Sequence, residues 1–419
     1  MISADEALAL VVENVAPLGA ERVSILDALG RVIAENVHSP RDIPGFDNSA
    51  MDGYALRSAD IERASETNPV RLSVIETVPA GRMPVQCVGP GQAVRTMTGA
   101  PIAEGADAIL QVEKTRGGGA TVEILASAAA GLCIRPRGED VKAGALVLPA
   151  GKRLSPADIG MLASVNRAMA EVFRRPRVGI VSTGDEIVDV DRVPTGAQIV
   201  NSNAYALASA VREAGCEAVI LKVAQDDPTE IRARLAEAVT FDAILSTGGV
   251  SVGDFDHVKG ALDDLGMRQI FHGVAQKPGR PLKFGMVGYR PIFGLPGNPV
   301  STLVCFYLYA RPALLKMSGR ADLGLSRIRV RCAVDIKVAK GLTEFIRVKL
   351  ELDGNGIAAR PTGDQGSGIL SSLSLADGLL IGPAAETMLK AGSQAAVLVL
   401  GSGSGPVAPL LFEERPHSH

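Results

Sequence analysis

The chain has 419 residues, 47% of them hydrophobic, a formal net charge of −3 and no tryptophan. At roughly 100–200 residues per domain, that length predicts two to four domains with ample core. The near-balanced charge argues against nucleic acid or a membrane surface as partner, and the missing tryptophan against large aromatic stacking platforms.

Asp5 and Glu6 stand near the start with no apolar run behind a basic segment, so no signal peptide is expected. The longest apolar stretch, "VCFYLYA" at 304–310, is far short of the ~20 residues a membrane span needs. Cys87, Cys133, Cys216, Cys305 and Cys332 are scattered and odd in number, which reads as reduced thiols in a cytoplasmic protein. Ser3 and Glu6 have capping-box spacing, and Leu8, Val11, Val12 and Val15 follow at helical spacing, so the chain opens with an amphipathic helix. From about 69 to 150, short apolar runs broken by Gly and Pro ("VRLSVIETVPAG", "ADAILQVEK", "ATVEIL") predict a β-rich region. "SPAD" at 155–158 begins another helix, with Pro156 at its first position.

From 177 onward, strand and helix alternate. "RVGIVST", "EAVILKV" and "FDAILST" read as buried strands. "NAYALASAVREAG", ending at Gly215, and "DDPTEIRARLAEAV", capped by Asp227 with Glu230 closing the box, read as helices. Such spacing predicts parallel βαβ units and a sheet covered on both faces. A linker is expected at 316–326. Beyond it, Ile328, Val330, Cys332, Val334 and Ile336 alternate with polar residues, as do Ile346, Val348, Leu350 and Leu352, and "DGNG" at 353–356 sits where a hairpin would turn. The C-terminal piece is thus expected to be a small antiparallel β domain, and "ERPHSH" a disordered end.

Three strands of the α/β region end in glycines: Ser182-Thr183-Gly184 before Asp185-Glu186, Ser246-Thr247-Gly248-Gly249, and Gly294 before Gly297-Asn298-Pro299. One such turn is an ordinary strand-to-helix connection. Three in one unit, two sharing Ser-Thr-Gly, point to a ligand crevice beyond the carboxyl ends of the strands. Asp185, Glu186, Asp226, Asp227, Asp254 and Asp256 also follow strand ends. Bare carboxylates repel a phosphate, and a divalent cation between them, Mg²⁺ by default, removes the conflict. Asp227 is the exception, best read as a helix cap. Lys277 and Arg280 bracket a Pro-Gly turn in "QKPGRP", which either holds two cations near an anion or is a solvated hairpin. "FDNSAMDGYA" with Asp52 and "IRPRGEDV" with Asp140 are charged turns by composition alone. No Ser-His or Cys-His pairing suggests a covalent intermediate.

Taken in order, "FDNSAMDGYA", "RTMTGAPIAEGADAILQVE", "IRPRGEDV", "STGDE", "STGGVSVGDFD", "QKPGRP" and "GLPGNPVS" resemble the molybdopterin molybdenumtransferase family, of the MoeA type and related to the E domain of gephyrin. The resemblance implies an L-shaped homodimer of four-domain protomers. These would be a helical and extended linking domain (1–45 plus 146–175), an inserted β-rich domain (46–145), a doubly wound, adenylyltransferase-like α/β domain (176–322) and a C-terminal β-barrel (323–412). It implies insertion of molybdenum from molybdate into adenylylated molybdopterin, with release of AMP and molybdenum cofactor and a requirement for Mg²⁺.

Carried over position by position, the family's functional residues match Asp52, Thr98, Asp140, Glu186, Asp226, Asp256, Lys277, Pro296 and Pro299. Asp52, Asp140, Glu186, Asp256 and Lys277 become catalytic candidates, and Glu186, Asp226 and Asp256 the metal ligands. Thr183, Gly184, Gly248, Gly249 and Ser251 become nucleotide contacts. "EFIR" aligns Arg347 with the family's arginine, expected beside Lys277 and Arg280 on the oxyanion, and "GDQGSG" aligns Ser367 with its serine, with Ser371 as the alternative. Arg280 stands where many members have Lys, and Asp377 where Asn is frequent. The family places Asp52 and Asp140 across the dimer from the partner's cleft. An adenylyltransferase and molybdoenzymes or their chaperones are further expected partners. A lone adenylyltransferase would need only the α/β region, and a receptor-clustering scaffold of the gephyrin kind would carry an additional domain and a long linker.

Overall fold

The computed structural model describes residues 1–248, 257–354 and 356–401 and divides into two compact units. The first consists of Met1–Ala34, Gly151–Ser155 and the chain from Ala170 on, the second of Glu35–Ala150 and Pro156–Met169. No helix among the described residues is long and apolar enough to cross a membrane.

The chain opens with α1 (Ala4–Asn14), whose cap Ser3 accepts the Glu6 N–H at 3.1 Å. One face of α1, Ala4, Ala7, Leu8 and Val11, is buried in the main core of the first unit. The second unit is built on a six-stranded sheet: β1 (Gly53–Leu56), β2 (Val70–Val78), β3 (Gln92–Thr96), β4 (Ala108–Gln111), β5 (Thr115–Gly118) and β6 (Thr121–Ile124). Their order is β4-β1-β3-β2-β6-β5, antiparallel except where β2 runs parallel to β3.

The first unit holds a second six-stranded sheet. Its strands are β7 (Arg177–Ser182), β8 (Glu217–Ile220), β9 (Ala243–Thr247), β10 (Arg268–His272), β11 (Lys283–Val287) and β12 (Arg290–Leu295), in the order β8-β7-β9-β12-β11-β10. Helices α2 (Ser202–Glu213) and α3 (Pro228–Ala238) connect β7 to β8 and β8 to β9. Alternate residues of one strand face opposite cores. Val178 and Ile180 pack into the larger cluster with α1 and α2, and Val181 into a second cluster with Leu235 of α3. This is the double cover expected of βαβ units.

The sheet is not parallel throughout. β8, β7, β9 and β12 are parallel, but β11 runs antiparallel to β12 and β10 antiparallel to β11. The reason lies in the connections: Val287 and Arg290 are paired across a two-residue turn, too short for any crossover.

After β12 come α4 (Pro299–Cys305), a π-helical turn (Phe306–Ala310) and α5 (Arg311–Met317). The C-terminal region then closes on itself: β13 (Arg327–Cys332), β14 (Thr343–Asp353), β15 (Gly356–Pro361), β16 (Gly378–Gly382) and β17 (Gln394–Val399) pair around a ring, β14 meeting both β15 and β16. This is the expected small β-barrel, though not antiparallel throughout as the alternating pattern suggested: β13 and β15 run parallel. β14 and β15 form the expected hairpin, its register ending at Asp353 opposite Gly356. A short strand, Gln276–Lys277, adds to β14 in parallel register, Lys277 opposite Glu344.

Candidate active site

β7 and β9 end side by side, Ser182 in register with Thr247. Just beyond them Gly248 has φ +91°, and a Cβ there would stand 2.7 Å from the Thr183 carbonyl oxygen. Only glycine lets the two strand ends approach so closely. Gly184 has φ +144°, and a Cβ on it would meet Glu186 Oε2 at 2.6 Å, so the Glu186 carboxylate lies folded over bare backbone. Behind these residues the Thr247 hydroxyl donates to Ser182 Oγ at 3.1 Å, and the Ser182 hydroxyl to Asn201 Oδ1 at 3.2 Å. Asn201 Oδ1 also caps α2 by accepting the Ala204 N–H at 3.3 Å.

Thr183, Glu186, Asn201, Thr247 and Gly248, but not Gly184, wall a hollow of about 620 Å³ together with Asn203, Pro296 and Pro299. The first turn of α2, Ser202 and Asn203, is part of this wall. An exposed helix N-terminus attracts anions through its unpaired N–H groups and dipole. Asn203 donates from Nδ2 to the Gly297 carbonyl at 2.7 Å, while its buried Oδ1 has no partner among the described residues.

A second hollow of about 570 Å³ shares Pro281, Pro296 and Asn298 with the first. Lys277, Arg280 and Ser367 line it. Arg280 is exposed, its Nε 3.1 Å from Met1 Sδ. Lys277 Nζ is 2.8 Å from Glu344 Oε1, the lysine half-exposed and Glu344 7% exposed. The cation is therefore aimed by a buried carboxylate that local sequence pattern does not reveal. Ser367 Oγ accepts from Asn298 Nδ2 at 2.8 Å. It is Ser367, not Ser371, that lines this wall; Ser371 is exposed elsewhere on the short helix Leu370–Ser374.

Arg347 does not take the expected place beside Lys277 and Arg280. It is 1% exposed, and its guanidinium donates to Ser372 Oγ (3.0 Å) and to the carbonyls of Gln365 (3.1 Å), Asp364 (3.1 Å) and Gly366 (3.0 Å). With its donors engaged by backbone, it is a strut beneath the 364–366 loop that carries Ser367. A buried cation needs such acceptors, and the carbonyls supply them.

The other expected residues are distributed as follows. Thr183 and Ala224 form a bridge, and the Asp226 N–H donates to Asp185 Oδ1 at 2.9 Å, so Asp226 stands next to the cleft without lining either hollow. Asp227 accepts the N–H groups of Thr229 and Glu230, both at 2.9 Å, and is a cap. Glu230 closes onto the Gln225 N–H at 3.0 Å, not onto that of Asp227. Asp52, Thr98 and Asp140 belong to the second unit. There Asp52 Oδ1 accepts both the N–H (2.7 Å) and the hydroxyl (2.8 Å) of Thr98. Gly249, Ser251, Asp254 and Asp256 lie outside the described residues.

Among the described residues no three His, Cys, Asp or Glu side chains cluster as a metal cage. Glu186, Thr183 and Asn203, all lining residues of the first hollow, carry hard oxygens, of which Asn203 Oδ1 is itself buried. Mg²⁺ keeps several waters and binds through one or two carboxylates plus phosphate oxygens, so these residues fit it.

The chain matches three family models in succession: the MoeA N-terminal region (domains I and II) over residues 2–166, the probable molybdopterin binding domain over 179–316, and the MoeA C-terminal region (domain IV) over 329–400. It is 37% identical to the molybdopterin molybdenumtransferase of Nostoc sp. over 91% of this chain and 88% of that one. It is 39% identical to molybdopterin molybdenumtransferase 2 of Mycobacterium tuberculosis over 89% of this chain and 93% of that one. The crystal structure of the molybdopterin biosynthesis MoeA protein from Pyrococcus horikoshii superposes with a TM-score of 0.81 at 33% identity, covering 96% of this chain and all of that one. With matches of this length and identity running through all three regions, the chain belongs to the molybdopterin molybdenumtransferase family.

Proposed function

We propose that the protein inserts molybdenum from molybdate into adenylylated molybdopterin, releasing AMP and molybdenum cofactor. The observation that carries this reading is the pair of adjoining hollows with opposite chemistry. One, with Glu186, the strand-end glycines and the α2 N-terminus, suits a phosphate-bearing nucleotide. The other, with Lys277 and Arg280, suits a small oxyanion. Since they share Pro281, Pro296 and Asn298, a pterin in contact with both would meet the oxyanion at short range, and proximity does much of the work.

In the balanced reaction, water breaks the pyrophosphate link, so that AMP leaves and the pterin keeps its own phosphate; the two dithiolene thiols bind molybdenum and give their protons to one molybdate oxygen, and that oxygen departs as water. Glu186, with Asp226 and Asp256, is the proposed holder of Mg²⁺, which when bound supplies neutralisation of the pyrophosphate charge. Lys277, aimed by Glu344, and Arg280 hold molybdate. Thr183, Gly184, Gly248, Gly249 and Ser251 approach the nucleotide, with Pro296 and Pro299 shaping the wall. Two copies of the chain are proposed to share each site, Asp52, Thr98 and Asp140 of one completing the cleft of the other. A cytoplasmic location is part of the same reading, as are a molybdopterin adenylyltransferase upstream and a molybdoenzyme downstream.

The test is incubation with adenylylated molybdopterin, Mg²⁺ and molybdate, followed by AMP measurement. The wild type should release AMP stoichiometrically with cofactor, and Glu186→Gln should release almost none while unfolding at the wild-type temperature. No molybdate-dependent AMP from the wild type would overturn the reading.

A further inference from the structure

The first unit has a second basic hollow, at the opposite edge of its sheet from the cleft. Arg174 and Arg175 stand just before Pro176 and β7, Glu213 ends α2, and Ala214 and Gly215 lead from it to β8, so this hollow sits at the amino ends of strands whose carboxyl ends form the cleft. Its volume is about 70 Å³, and Arg31, Arg153, Arg174, Arg175, Arg311 and Arg320 line it, with Glu213 the one acid of the wall.

Three of these arginines are nine-tenths buried or more: Arg311 at 3% exposure, Arg31 at 9% and the Arg320 side chain at 8%. Arg31 contacts Glu21 at 2.5 Å, Arg174 contacts Asp242 at 3.1 Å, and Arg320 contacts Asp322 at 2.6 Å. Arg311 donates to the carbonyls of Leu323 (3.3 Å) and Gly324 (3.5 Å). Arg153 and Arg175 meet no carboxylate among the described residues. Among the described residues the Arg153 side chain donates only to the Gly30 carbonyl, at 3.4 Å.

Arginines beside helix C-termini commonly serve to cap the last carbonyls. Here the chain does that itself. The N–H groups of Gly215 and Cys216 close α2, and those of Ser318, Gly319 and Arg320 close α5. Burial pulls the Arg311 guanidinium below its ordinary pKa and the neighbouring Arg320 charge adds to this, while Glu213, Tyr307 and Asp322 act the other way.

We propose that this hollow is a second anion site, one that takes a free tetrahedral oxyanion of the inorganic phosphate class. A water needs roughly 10–15 Å³ of such space, so the hollow holds a group of several heavy atoms and excludes a nucleotide. The planar forks of Arg match tetrahedral oxyanions through paired N–H···O bonds.

The experiment is calorimetric titration of the full chain with inorganic phosphate in chloride buffer, on the wild type, a cleft variant (Lys277→Ala/Arg280→Ala) and a rim variant (Arg153→Ala/Arg175→Ala, both exposed positions). The cleft variant should still bind one phosphate per chain, and the rim variant should lose that site's affinity at least tenfold. Should the rim variant fail to fold, the thermal midpoint of the cleft variant decides: it should rise with phosphate concentration. Absence of phosphate binding by the cleft variant, an unaltered affinity in the rim variant, or a site that takes molybdate and neither phosphate nor sulfate would overturn the proposal.

Discussion

Asp52 is gripped by Thr98 from two directions, and this sets its protonation. The Thr98 backbone N–H, and then its hydroxyl, hold the Asp52 carboxyl below the ordinary carboxylate range. A pKa lower in the folded than in the unfolded chain means that the contact stabilises the fold above the unfolded value of about 3.9, and that this contribution is lost as pH falls through the folded value. Thr98→Val removes the hydroxyl and keeps the N–H. Carboxyl NMR titration should then show the Asp52 midpoint moving part of the way up; an unmoved midpoint would show that the hydroxyl does not donate. Arg347 makes the contrasting case. Its burial beneath the 364–366 loop predicts that Arg347→Ala strands three carbonyls and destabilises the first unit by roughly 2–4 kcal/mol. Urea unfolding measures this. A variant of wild-type stability that only needs more molybdate would return Arg347 to the direct anion contact expected from sequence.

The elements of the first unit show which carboxylates at strand ends belong to the scaffold. Asp227 caps α3, so Asp227→Ala should cost about 1 kcal/mol in urea unfolding and leave AMP release unchanged. A loss of activity with unchanged stability would move Asp227 to the site. The cap, the opening helix with Ser3 and the hairpin at Asp353–Gly356 were legible in sequence because each is decided within a few residues of chain. So were the glycine-ended strands that wall the cleft. The Lys277–Glu344 contact was not legible, since it joins residues 67 positions apart and depends on how the Gln276–Lys277 strand aligns with β14. The burial of Arg347 was hidden for the same reason: an arginine in an alternating strand reads as solvent-facing until the loop above it is placed. The antiparallel edge of the sheet was hidden by the expectation of a crossover, although "MVGYRP" leaves room only for a turn.

For the whole molecule, the proposed sharing of sites between two copies can be tested by complementation. Asp52→Ala and Glu186→Ala chains, each inactive alone, should regain part of the wild-type rate when mixed, because one of the two sites in a mixed dimer carries neither substitution. Mass spectrometry must show that subunits exchange; exchange without recovered activity would mean that each site is built from one chain.

The short strand Gln276–Lys277 has a consequence of its own. It follows β10 of the mixed sheet in the chain, yet its ladder is with β14 of the barrel, and the Thr343 N–H donates to the Ala275 carbonyl at 3.0 Å. Lys277, the proposed oxyanion holder, is thus borne by one fold and stitched into another. Local opening of the barrel would release Lys277 from Glu344 while the sheet stayed intact, so the anion-holding wall can be no more durable than the barrel ladder. Stabilising β14 against its barrel neighbours would strengthen that wall without altering a single residue that lines it.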